Sequence, residues 1–121
     1  MGVARQAIAG MIDHTLLNAA ALPKDIEQLC NEAKRYRFAA VCINSCYVPL
    51  AYKLLSETGV AVCTVIGFPL GSVLTAAKAF EAGEAVKAGA KEVDMVINIG
   101  ALKSKQHNEV LRDIRAVVEK V

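Results

Sequence analysis

Short apolar runs alternate along the chain with longer stretches in which apolar residues recur at helical spacing. Four runs read as strands: about Met11 to Leu16, Ala39 to Asn44 (AAVCIN), Val60 to about Phe68 (VAVCTVIGF), and Val93 to Gly100 inside AKEVDMVINIGALK. Each is followed by a helical stretch. After the first, Pro23 suits an opening turn and Asp25 and Glu27 suit the positive end of a helix. Ile26, Leu29, Ala33 and Tyr36 then form one apolar stripe, and Lys34, Arg35 and Arg37 close the last turn. The second helix is expected from about Pro49 to Glu57, ended by Gly59. Thr75 is expected to cap a third helix that runs to Ala88 and stops at Gly89. A last helix is expected over about Asn108 to Lys120, with Val110, Ile114, Val117 and Val118 on one side, and residues 2–10 fit an extra amphipathic helix before the first strand.

Alternating helices and apolar strands predict a parallel sheet covered by helices. Side chains alternate along a strand, so Asp94, Val96 and Asn98 share one face, and Val93, Met95 and Ile97 share the other. Asp13 with Thr15, Cys42 with Asn44, and Thr64 with Ile66 pair in the same way. Polar residues are thus expected to gather on one face towards the strand ends, where parallel α/β proteins build sites. Asp94 is the most telling of them, because a mid-strand carboxylate has low β propensity and needs a partner if buried. The others have plain structural explanations. Asp13 and Asn44 suit turns, Thr15 and Thr64 are ordinary strand residues, Cys42 can fill a core, and His14 can pack with a hydrogen bond. His107 falls in a loop or at a helix start, and the GFPLG loop lacks the spacing of a phosphate-binding fingerprint, so a tight turn is its simpler reading.

A chain of 121 residues supports one modest domain, and 55% apolar with 21% charged residues excludes a disordered segment. A net charge of +2 is too small to imply nucleic acid or an anionic membrane as partner. No apolar run reaches the roughly 18 residues of a membrane span, and the N-terminus lacks a secretory layout. Gln6 stands where a myristoylation signal prefers Ser or Thr, so a reducing cytoplasm is expected. Cys30, Cys42, Cys46 and Cys63 form no CxxC pair and there are only two histidines. The Cys42-x3-Cys46 spacing has no matching second pair, so no metal is expected and reduced, buried thiols are.

IDHTLL at 12–17, LCNEA at 29–33, FAAVCIN at 38–44, TVIGFPLG at 64–71 and EVDMVINIGALK at 92–103 resemble deoxyribose-phosphate aldolase, in the family's order and over nearly the whole chain. The resemblance implies a (β/α)8 barrel that reversibly cleaves 2-deoxyribose 5-phosphate to acetaldehyde and glyceraldehyde 3-phosphate. The chemistry is a lysine Schiff base, with no metal and no organic cofactor. By the same resemblance Asp94 is catalytic, matching the strand-4 aspartate that works with lysines in proton relay. Asp13 and Thr15 match residues that line the substrate pocket at the end of strand 1, and Cys42 matches a pocket cysteine on strand 2. Asn18, where many relatives have lysine, and SVLTA after Gly71, where relatives often have Ala-Thr, depart from the pattern.

In the family the Schiff-base lysine lies on strand 6, a second lysine on strand 7, and phosphate-binding glycines after strands 7 and 8. A (β/α)8 barrel needs about 200–250 residues. The expectation is therefore a single (βα)4 half-barrel over residues 1–121, without strands 5–8 and inactive alone. Lys24, Lys34, Lys53, Lys78, Lys87, Lys91, Lys103, Lys105 and Lys120 all fall on expected helices or loops, so none replaces the missing amine. A self-assembling structural module and a flavodoxin-like binding domain are the other readings. Open edges at strands 1 and 4 predict a homodimer or higher oligomer, domain-swapped forms included.

Overall fold

The computed structural model describes residues 2–121. Its single sheet has four parallel strands in the order β1 (Asp13–Leu16), β2 (Ala40–Ile43), β3 (Ala61–Ile66) and β4 (Glu92–Met95). Helix α1 (Val3–Ala9) precedes β1, and α2 (Pro23–Tyr36), α3 (Val48–Leu55) and α4 (Thr75–Ala88) connect successive strands. Helices α5 (Ile99–Lys103) and α6 (His107–Val118) follow β4.

The connecting helices begin and end where the local chemistry dictates. Pro23 opens α2, and the Asp25 carboxylate accepts the backbone N–H of Leu22 at 2.8 Å, satisfying one donor at the exposed end. The helix buries Ile26, Leu29, Cys30 and Ala33. Tyr36, expected in that stripe, is 41% exposed, because the helix is ending there and its ring turns to stack on Phe38. Helix α3 starts one residue before Pro49, after a 3-10 turn at Ser45–Tyr47, and ends at Leu55, short of the expected Glu57. In α6 the expected stripe is rotated. Val110 and Val117 are buried, Val118 is 59% exposed, and Asp113 takes a buried place.

Helices α2, α3, α4 and α6 pack on one face of the sheet. Val41, Ile43, Val62 and Ile66 meet Ile26, Leu29, Ala51, Ala82 and Val117 in the main core. The opposite face carries a small cluster of Ala40, Cys42 and Cys63 with Leu17, Ala61 and Val65, none of them helical. Sequential strand order with helices on one side is the geometry of half a (β/α)8 barrel. It rules out the flavodoxin-like alternative, which reorders its strands and covers both faces.

The register corrects two expectations. Cys42 pairs with Cys63, and Ile43 with Thr64, so Cys63 lies on the open face and Thr64 on the helix face. Thr64 is fully buried there and its hydroxyl donates to the Ile43 carbonyl at 2.7 Å. The fourth strand ends at Met95, well before Gly100. Asn98 is not on the strand with Asp94. It caps α5, accepting the N–H of Ala101 at 3.2 Å, and so turns an apolar run that reads as strand into helix.

Candidate active site

The open face brings three reactive side chains together from three neighbouring strands. The sulfurs of Cys42 (β2) and Cys63 (β3) and a carboxylate oxygen of Asp94 (β4) all lie within 4.8 Å of one another. Cys42 and Cys63 are opposite each other in the ladder, whereas Asp94 stands opposite Val65, two residues farther along. The stagger of tilted barrel strands closes that offset. Both cysteines are buried and Asp94 is exposed. Among the described residues Asp94 enters no ion pair.

Asp13 and Thr15 lie on the same face, with Thr15 opposite Cys42 in the ladder. Both are exposed, and the Thr15 hydroxyl donates to the Asp13 carbonyl at 3.0 Å. Asp13 opens β1 and does not sit at its carboxyl end, which corrects the expected placement at strand ends. Its charge still reaches the cluster, since Asp94, Asp13 and Glu92 all push the Cys42 thiol upwards. The hydrogen bond from Cys63 outweighs them together with burial and holds Cys42 below its usual value. Cys63 is driven strongly upwards, first by that hydrogen bond to Cys42, then by burial and the nearby Asp94 carboxylate.

Cys63 was not singled out from the sequence, although it precedes Thr64 in the quoted TVIGFPLG motif by one residue. Alternation within β3 gives no phase relative to β2, and only the β2–β3 register places Cys63 on the open face. Lys78 was also missed. It is fully buried between α4 and α6, where its Nζ donates to Asp113 Oδ2 at 2.6 Å and to the Val96 carbonyl at 2.9 Å. Thr75 opens α4 as its first residue and does not cap it. Its hydroxyl donates instead to the other Asp113 oxygen at 2.7 Å.

This network fixes the segment after β4. The GFPLG loop is fixed against the same segment. Gly67 and Gly71 have φ of +63° and +70°, and a Cβ on Gly71 would come within 2.8 Å of a Val96 methyl. The Gly67 N–H donates to Glu81 at 2.7 Å. A spacing rule for phosphate loops could not have found this, because these glycines serve a close backbone approach. Among the described residues no lysine lies on a strand.

Residues 7–121 match the family described as DeoC/LacD family aldolase. The chain belongs to that family. It is 59% identical over 116 residues to the deoxyribose-phosphate aldolase of Carboxydothermus hydrogenoformans, covering 96% of this chain and 51% of the relative. It is 60% identical over 114 residues to that of a Thermoanaerobacter species, covering 94% and 51%. Among solved structures it is similar to the tetrameric deoxyribose phosphate aldolase of Aeropyrum pernix, with a TM-score of 0.86 and 33% identity over 95% of this chain and 47% of that one. The chain thus spans about half the length of the curated relatives it matches. Among the described residues no helix of this aldolase-family chain is long and apolar enough to cross a membrane.

Proposed function

We propose that this chain forms the N-terminal half of a cytoplasmic class I aldolase site that reversibly cleaves 2-deoxyribose 5-phosphate to acetaldehyde and glyceraldehyde 3-phosphate. The observation that carries the proposal is the Asp94 carboxylate, exposed on the open face of the sheet and in no ion pair among the described residues. In this reading Asp94 relays protons to and from an amine that approaches from a second set of four strands, whether on a longer chain or on a partner. Asp13, Thr15 and Cys42 line the sugar side of the same pocket.

The chain's own lysines support that division of labour. Schiff-base formation needs a free, neutral amine facing the substrate. Lys78, the buried lysine, is held by Asp113 and Val96 between two helices, and no other lysine lies on a strand of the open face. The residues 1–121 then act as a single half-barrel domain with negligible turnover by themselves.

The test pairs this chain with a chain that supplies strands 5–8 of the Carboxydothermus hydrogenoformans relative. Retro-aldol turnover is expected only from the mixture. Borohydride trapping with acetaldehyde should label the added half and leave this chain unlabelled. Turnover by the 121 residues alone, with one of their lysines labelled stoichiometrically, would overturn the assignment.

A further inference from the structure

We propose that Cys42, Cys63 and Asp94 form a binding site for a thiophilic divalent cation such as Zn2+. The site stands on this chain's geometry and does not depend on the proposed aldol chemistry. Two sulfurs and a carboxylate oxygen come from three adjacent strands of one sheet, so the backbone already holds the three donors on one face. Tetrahedral zinc, with bonds of about 2.3 Å to sulfur and about 2.0–2.2 Å to oxygen, needs donors about 3.4–3.8 Å apart. The donors lie within 4.8 Å of one another, so each pair must close by at most about 1.4 Å, which small side-chain rotations supply.

The surroundings favour a cation. Asp13 and Glu92 add their negative charge to that of Asp94 at the Cys42 sulfur. Binding releases the two thiol protons to solvent and leaves two thiolates and one carboxylate around the ion. The exposed side of Asp94 leaves a fourth position for water. Two thiolates select zinc, cadmium or cobalt over magnesium or calcium, which take oxygen donors. Cys46 is exposed and Cys30 is buried on the helix side, so neither belongs to the set. An ion in this place occupies Asp94, which makes it an inhibitor of any chemistry on that face and not a cofactor for it.

The experiment titrates the reduced 121-residue chain with Co2+ in the absence of oxygen and then adds Zn2+. One cobalt per chain is expected, with visible bands of tetrahedral cobalt and a thiolate charge-transfer band, all abolished by zinc. Cys42→Ser and Cys63→Ser should each cut the charge-transfer intensity per bound cobalt about in half and weaken binding about a hundredfold or more, since even an outer partner of a ligand is worth about 10- to 100-fold. Asp94→Asn should weaken binding with the thiolate band retained, and Cys30→Ser and Cys46→Ser should change nothing. X-ray absorption at the zinc edge on the unsubstituted chain counts the ligands without any variant, and two sulfurs with oxygen neighbours are expected. No thiolate band, a band lost with Cys46→Ser, or a sulfur count other than two would overturn the site.

Discussion

Lys78 Nζ lies 2.6 Å from Asp113 Oδ2, with side chains 0% and 6% exposed, so a complete ion pair is sealed between α4 and α6. Desolvation makes such a pair a weak net stabiliser, but removing one partner strands a buried charge. Lys78→Met or Asp113→Ala should therefore cost about 3–5 kcal/mol in urea unfolding. The double replacement Lys78→Met with Asp113→Leu should recover most of that loss. Single and double variants of equal stability would show that the pair is not the source of the effect. The Val96 carbonyl also loses its donor when Lys78 is replaced, so local disorder after β4 is expected in hydrogen exchange.

Gly71 makes the same segment sensitive from the other side. Its φ is +70°, and an added Cβ would press on Val96 and on the Ile97 backbone, neither of which can swing away like a flexible side-chain end. Gly71→Ala should destabilise by more than about 2 kcal/mol, combining left-handed strain with the clash. Gly59, which has φ +82° and open space around it, serves as control, and Gly59→Ala should cost only about 1 kcal/mol. Equal losses at both positions would remove the special role of the GFPLG loop.

Burial pushes the Cys30 thiol up from 9.0 to about 11, with Lys34 opposing it weakly. The unfolded chain loses this proton near pH 9 while the folded chain keeps it to about pH 11. The unfolded state then binds fewer protons, so stability falls as pH rises through that window and is unaffected below it. The loss should reach about 1–3 kcal/mol by pH 11, and Cys30→Ala should remove that part of the alkaline slope while lowering stability at pH 7. An unchanged slope in Cys30→Ala would assign the alkaline sensitivity elsewhere, with Cys63 the next thiol to test.

How much of this was legible in the sequence follows from where its signals are local. The end of helix α4 is legible, because Gly89 stops it after Ala88, whereas its start is one residue early, since Thr75 opens the helix and does not cap it. The open-face residues Asp13, Thr15, Cys42 and Asp94 were readable from alternation within each strand and from the family motifs. Cys63 was not, because alternation gives two faces but no phase between strands, and the Cys42–Cys63 register is a tertiary fact. The sequence places Lys78 only on a helix or loop and gives Asp113 no role, and only the packing of α4 on α6 shows that they bury each other. Asn98 was misread because Ile97 and Ile99 extend an apolar run, and its capping bond outweighs that pattern.

Asp94 should separate function from stability. It is exposed and in no ion pair among the described residues, so Asp94→Asn is expected to shift unfolding by no more than about 0.5 kcal/mol. In the reconstituted mixture with strands 5–8, the same change should lower retro-aldol turnover by about 10²–10⁴-fold, the usual worth of a positioned proton-transfer group. Trapping of acetaldehyde on the partner half should weaken as well. Full activity in Asp94→Asn would remove the carboxylate from the proton relay and leave it a pocket-wall residue.

Strands β1 and β4 each pair with one neighbour only, so both edges of the sheet present unpaired backbone donors and acceptors. The face between them holds Leu17, Ala61 and Val65 around the two cysteines, with no helix over it. Edges of this kind recruit another strand, and in a closed barrel β4 and β1 would each gain one. Two copies can meet both needs if β4 of one lies beside β1 of the other in a two-fold arrangement. A mass twice the 12.9 kDa of the chain, or a higher multiple, is therefore expected by light scattering at micromolar concentration. The interface should bury more than about 2,000 Å2, as obligate pairs do. Such closure would also bring two copies of Asp94 and Asp13 into one lumen without lysines to neutralise them. Like charges confined together oppose closure, so Asp94→Asn should tighten the self-association that its carboxylate weakens. Low salt should loosen it further, since screening shortens the reach of that repulsion. A stable monomer at tens of micromolar, with amides of β1 and β4 exchanging freely, would sink the self-association and leave a separate C-terminal half as the partner to seek.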